Sequence, residues 1–137
     1  MTRIMAIDYG TKRVGIAVTD PLQIIATGLT TVATKDLFTF LQQYLSEEAV
    51  SCIVVGEPLD LNGQPAEVAP AIKTFKERLG KTFPDLRIES QDERFTSVDA
   101  KRIILQSGAK KKKRRDKALV DKISAVLILQ DFLEHQR

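Results

Sequence analysis

Histidine and cysteine occur once each in the 137 residues, at His135 and Cys52, and tryptophan does not occur at all. A disulfide framework needs a second cysteine. Structural zinc, which draws on Cys and His, and Ser-His-Asp catalysis are nearly excluded for the same reason. No stretch approaches the roughly 20 apolar residues of a membrane span. The N-terminus, Met-Thr-Arg-Ile-Met-Ala-Ile-Asp, reaches a carboxylate before the apolar region of a signal peptide could form. The chain therefore reads as unprocessed, with a reducing cytoplasm as its expected location and no membrane partner. Internal repeats and Pro/Gly/Ser-rich linkers are missing too, so residues 1–137 read as one domain. Any catalysis is left to carboxylates, lysines, hydroxyls or a metal held by oxygen.

Hydrophobic residues make up 43% of the chain and charged residues 28%, the balance of a globular protein. The net charge of +3 is unevenly spread. Lys110, Lys111, Lys112, Lys113, Arg114 and Arg115 are consecutive, and without those six charges the rest of the chain stands at −3. A run of this kind is either a solvated connector or the electrostatic footprint of a nucleic-acid contact.

Residues 3 to 9 alternate around Ile4, Ala6 and Asp8, and residues 13 to 19 form a second run. The turn Tyr9-Gly10-Thr11-Lys12 joins them as a hairpin. Ile24 to Val32 reads as a third strand. Thr34 can cap a helix whose apolar face is Leu37, Phe38, Leu41, Tyr44 and Leu45. Cys52 to Val55 is a continuous apolar run, as in a strand buried on both faces, and it ends at Gly56-Glu57-Pro58. A second helix turns Val68, Ala71, Ile72, Phe75 and Leu79 inward and stops at Gly80. Leu86 to Gln91 is a weaker strand leading into Asp92-Glu93-Arg94. Thr96 and Asp99 open a helix that stops at Gly108, and a last helix runs from about Lys117. The order βββ-α-β-α-β-α-α implies an α/β fold, a mixed sheet with helices on its faces.

Acids gather at one edge of that sheet. Asp8, Glu57 and the Asp92-Glu93 pair each fall at the carboxyl end of a strand, where open α/β sheets bind ligands. Asp8 could instead cap the hairpin turn before Gly10. On the last helix, Asp121 shares an angular position with Ser124, Ala125, Ile128 and Phe132, so it points toward the sheet. A buried carboxylate needs compensation, from a metal ion or from a basic partner such as Lys12 or Arg94. Carboxylates without neighbouring His or Cys suit magnesium or manganese. Two such ions can drive phosphodiester hydrolysis, with the basic run holding the phosphate backbone nearby.

Five segments occur in an order and spacing that resemble the YqgF/RuvX family. They are Ala6-Ile7-Asp8-Tyr9-Gly10, Val14-Gly15-Ile16-Ala17, Val54-Val55-Gly56-Glu57-Pro58-Leu59, Asp92-Glu93-Arg94-Phe95-Thr96-Ser97 and Val120-Asp121-Lys122-Ile123-Ser124-Ala125. The family comprises RuvC-like proteins of the RNase H fold, named as Holliday-junction resolvases or pre-16S rRNA nucleases. The resemblance covers essentially the whole chain. It implies a five-stranded mixed sheet whose first three strands are antiparallel, and a cytoplasmic hydrolase that trims the 5′ end of pre-16S rRNA in ribosome biogenesis. Its catalytic and metal-binding acids would fall on Asp8, Glu93 and Asp121, with Mg2+ or Mn2+ as cofactor. Lys12, Arg94 and the run Lys110 to Arg115 would contact nucleic acid, an rRNA precursor or a DNA junction, in a monomer or homodimer. Strand alternation favours Asp92 over Glu93, because Asp92 continues the Leu86–Ile88–Ser90 face. Glu57 stands where the family usually has Gly-Leu-Pro.

Two other classes compete. Asp8-Tyr9-Gly10-Thr11 also resembles the phosphate-binding hairpin of actin-like ATPases and sugar kinases, but 137 residues leave no room for the second domain that encloses their nucleotide. A non-catalytic RNA-binding assembly factor with structural acids is the other, since a fold does not guarantee an activity.

Overall fold

The computed structural model describes residues 1–58, 68–93 and 117–136. Five strands form one sheet: β1 (Arg3–Tyr9), β2 (Arg13–Thr19), β3 (Ala26–Ala33), β4 (Val50–Pro58) and β5 (Arg87–Glu93). Their spatial order is β3-β2-β1-β4-β5, with the first three antiparallel and β4 and β5 parallel to β1. The helices are α1 (Leu37–Glu47), α2 (Ala69–Thr82) and α3 (Lys117–Gln136). The mixed α/β sheet expected from the sequence is therefore present. Among the described residues no helix is long and apolar enough to cross a membrane. The expected helix from Thr96 to Gly108 and the basic run lie outside the described residues.

Period-two alternation divides the core between the two faces of the sheet. Met5, Ile7, Val14, Ile16, Ile53 and Val55 meet Leu37 and Leu41 of α1 and Ile72, Phe75 and Leu79 of α2. On the other face Ile4, Ala6, Ala17, Cys52 and Val54 meet Ala125, Ile128, Leu129 and Phe132 of α3. Burial there pushes the Cys52 thiol up to about 11. The α3 face is built from smaller side chains, so its helix sits close. A Cβ on Gly15 would lie 2.0 Å from the Asp121 carbonyl oxygen, and one on Gly28 would lie 2.8 Å from Cγ of Lys122. The helix backbone thus rests directly on β2.

Several boundaries differ from the sequence expectation. The third strand starts at Ala26 rather than Ile24, because the Asp20 carboxylate accepts the N–H groups of Leu22, Ile24 and Ile25. These donors close a turn, with Gln23 at φ 60°, and are withheld from the ladder. Thr34 does not cap α1. It starts a short 3-10 turn, and its hydroxyl donates to the Gly10 carbonyl at 2.7 Å. Its N–H donates to Lys12 O at 3.0 Å, so both of its donors pin the β1–β2 turn. α2 runs through Gly80 to Thr82 instead of stopping there. β4 and β5 are longer than expected, and their pairing continues through Glu57↔Asp92 and Pro58↔Glu93.

Glu57 lies on the α1/α2 side of the sheet. Lys76 of α2 donates to Glu57 Oε1 and, at 2.9 Å, to Ser90 Oγ, while the Ser90 hydroxyl donates to the same Glu57 oxygen at 3.1 Å. This group ties α2 to the carboxyl ends of β4 and β5. The Lys76 hydrogen bond, aided by Ser90, holds the Glu57 carboxyl below its usual range despite partial burial.

These contacts lead to three stability predictions. Gly15→Ala must move α3 backbone and should cost about 1–3 kcal/mol. Gly80→Ala sits in a helix interior where its Cβ would meet only Ile88 Cδ1 at 3.6 Å, and it should stabilise by about 0.5–1 kcal/mol. Urea unfolding of the two variants should show shifts of opposite sign. For Glu57, a depressed carboxyl contributes stability above its unfolded value, and that contribution fades as pH falls through the folded value. Glu57→Gln should therefore lower Tm at pH 7, by less than about 1 kcal/mol of stability because the pair is part-exposed. The gap from wild type should close on acidification below the ordinary carboxylate range, as read from Tm against pH.

Candidate active site

One row across the sheet organises the acids. Thr31 of β3, Gly15 of β2 and Asp8 of β1 are consecutive cross-strand partners. The start of α3 crosses this row. The Thr31 hydroxyl donates to the Ala118 carbonyl at 2.6 Å, and the Asp121 backbone lies over Gly15. Asp8 follows Ile4 and Ala6 in alternation, and both of those residues pack in the α3 core. Strand register places Asp8 beside Gly15 on the sheet face that the Asp121 backbone crosses. Asp8 and Asp121 are both partly buried.

Among the described residues Asp121 has a basic partner that the sequence reading did not name. Arg13 Nε donates to Asp121 Oδ2 at 2.7 Å. Arg13 has the parity of Gly15 and Ala17 on β2, so its side chain lies on the α3 face. Lys12 is exposed in the turn before it, and Arg94 lies outside the described residues. The signal for Arg13 was present in the hairpin: once Asp8 pairs with Gly15, the residue two before Gly15 shares its face.

The remaining acids are sorted by strand parity. Glu57, bound to Lys76, is on the sheet face opposite Asp8, which removes it from the convergence expected at the strand ends. On β5, Ile88 packs into the α1/α2 core and Ser90 meets Glu57, whereas Gln91 donates to Asp131 of α3 at 2.6 Å. The Leu86–Ile88–Ser90 alternation thus belongs to the face away from Asp8. Asp92 is the strand partner of Glu57, and Glu93 occupies the position with the parity of Gln91. Arg94 and the run from Lys110 to Arg115 fall outside the described residues.

Asp8 and Asp121 offer only carboxylate oxygen, the donor type of magnesium and manganese rather than zinc. Among the described residues no third His, Cys, Asp or Glu completes a metal-binding group with them. By donor type alone, the two carboxylates suit an oxygen-seeking cation.

Comparison with known proteins agrees with this architecture. The family model RuvX, described as Holliday junction resolvase, matches residues 2–135. A Flavobacterium johnsoniae protein is 50% identical over 137 residues, covering 100% of this chain and 99% of its own. One from Bacteroides thetaiotaomicron is 53% identical over 137 residues, with coverage of 100% and 99%. Both bear the name "Putative pre-16S rRNA nuclease". The solved structure of T. thermophilus RuvC in complex with Holliday junction substrate superposes with a TM-score of 0.56, covering 99% of this chain and 96% of that one. At 13% identity that likeness concerns the fold, which is RNase H-like. The family match over nearly every residue, joined to relatives at half identity, establishes that the chain belongs to the RuvX family.

Proposed function

We propose that the protein is a metal-dependent nuclease that processes the 5′ end of pre-16S rRNA in the cytoplasm during ribosome biogenesis. The observation that carries this reading is that Gly15 is both the strand partner of Asp8 and the residue on which the Asp121 backbone rests. The relatives' names support a hydrolase acting on nucleic acid. In this reading Asp8 and Asp121 hold Mg2+ or Mn2+ with Glu93 as a third ligand. The cation, when bound, supplies Lewis-acid stabilisation of charge on the phosphate and leaving oxygens. Asp8 is fixed by its strand and Asp121 by backbone contact on Gly15, so neither has to be ordered when substrate arrives. Lys12, Arg94 and Lys110 to Arg115 hold the phosphate backbone. The family description supports a DNA junction as the rival substrate of the same site. A second reading, a non-catalytic RNA-binding assembly factor, is favoured by the Arg13–Asp121 pair, since a purely structural acid also needs a counter-ion.

Asp8→Asn should abolish cleavage of a 5′-extended 16S precursor in Mg2+ or Mn2+, and cells carrying it should accumulate that precursor. Asp121→Asn should abolish cleavage as well. It should also lower stability by about 1 kcal/mol through the lost ion pair, reversing the gain that relief of carboxylate repulsion alone would give. Wild-type cleavage by folded Asp8→Asn protein, or activity that survives EDTA, overturns the mechanism. A wild-type rRNA profile in Asp8→Asn cells supports the assembly-factor reading.

The basic run generates a separate expectation. Changing Lys110 to Lys113 to Gln should flatten the log–log salt dependence of RNA binding by about 2–3 units, at about 0.7 per lost phosphate contact. Turnover at saturating RNA should be retained. Identical slopes would make the run a solvated connector.

A further inference from the structure

Arg13 stands in an unusual relation to the acids. Its Nε holds Asp121 Oδ2, the oxygen that the proposed site would offer to a cation. It also sits on the face of Asp8, diagonal to it across the hairpin, because Asp8 pairs with Gly15 two residues further along β2. The two partners differ in freedom. Asp121 is anchored, since its carbonyl is pressed on Gly15 and its side chain is only 20% exposed. The Arg13 side chain is 38% exposed and ends a long, flexible stem, so its guanidinium has a route into solvent. Its backbone, by contrast, is steadied by the turn that Thr34 pins at Gly10 and Lys12. Arg13 can therefore leave Asp121 without leaving the site.

We propose that Arg13 is an exchangeable counter-ion: it neutralises Asp121 until a divalent cation takes Oδ2, and its displaced guanidinium then binds the substrate phosphate. This rests on the reading of Asp8 and Asp121 as cation ligands. A guanidinium and a divalent cation on one carboxylate oxygen repel each other, so occupancy by one disfavours the other. The freed fork of N–H donors is suited to a phosphate oxygen pair, and its stem places it beside the acids rather than out on the basic run. Two opposite effects on two ligands distinguish this role from a structural one. Removing Arg13 should strengthen cation binding and weaken nucleic-acid binding, whereas a residue needed only to shape the site would weaken both.

The test uses the full chain with Arg13→Gln and Arg13→Lys. Calorimetric titration with Mn2+ in the absence of nucleic acid should show affinity increased about tenfold in Arg13→Gln, the worth of one charge-assisted hydrogen bond that no longer has to be broken. Arg13→Lys should show a smaller increase, because a lysine keeps the charge without the fork. Binding of a single-stranded RNA in saturating Ca2+ should weaken in Arg13→Gln, and its salt slope should fall by about 0.7, one phosphate contact. Arg13→Lys should keep that slope, and it carries the test should Arg13→Gln not fold. Unchanged or weaker Mn2+ affinity in the variants, with binding intact in wild type, overturns the proposal for Arg13 alone. Absence of Mn2+ binding in all three proteins overturns the cation-site reading and this proposal together.

Discussion

The approach of the α3 backbone to Gly15 is the constraint on which the acid site depends. Two carboxylates cannot be brought together by their own attraction, because like charges repel. Here the attraction is supplied elsewhere, by Ala125, Ile128, Leu129 and Phe132 packing over Ala6, Ala17, Cys52 and Val54. Missing side chains at Gly15 and Gly28 let that packing pull the start of the helix onto the sheet. Apolar burial at one end of α3 thereby holds a charged residue in place at the other, near Asp8.

The sheet divides its work between faces. The side covered by α1 and α2 buries the larger side chains and locks its polar groups to one another, as Lys76, Glu57 and Ser90 do. The side covered by α3 uses smaller residues and carries Asp121, whose partner is a long, part-exposed arginine. A closed ion network suits a structural edge, whereas an ion pair open to water suits a place where charge must be exchanged.

The sequence made the hairpin legible to the residue, because Arg3–Tyr9 and Arg13–Thr19 alternate cleanly and are separated by a glycine turn. Asp121 was equally readable as inward-facing, since the residues three, four, seven and eleven positions on are small or apolar, and Ser124, Ala125, Ile128 and Phe132 are all buried. Glu57 was not readable. Cys52 to Val55 is apolar on both faces, so the run contains no alternation from which the parity of residue 57 could be taken. For β5 the alternation was visible but its direction was not: Ile88 and Ser90 share a face, and only assembly of the sheet shows that this face looks toward α2. The hairpin put Arg13 on the face of Asp8, but its pairing with Asp121 depends on how two segments 108 residues apart come together, which the sequence does not show.

The turn built on Asp20 bears on how this protein behaves when it is crowded. β3 is an outer strand of the sheet, and Leu22, Ile24 and Ile25 just before it are exposed by 62%, 56% and 64%. An apolar segment continuous with an open strand edge is a template for pairing with another chain. Because the Asp20 carboxylate already takes the N–H groups of Leu22, Ile24 and Ile25, those residues cannot lengthen the edge or zip onto a neighbouring molecule. A single carboxylate in a surface turn thus keeps the stickiest stretch of the described surface out of intermolecular sheet, a safeguard against aggregation that is independent of the acids at the opposite end of the strands.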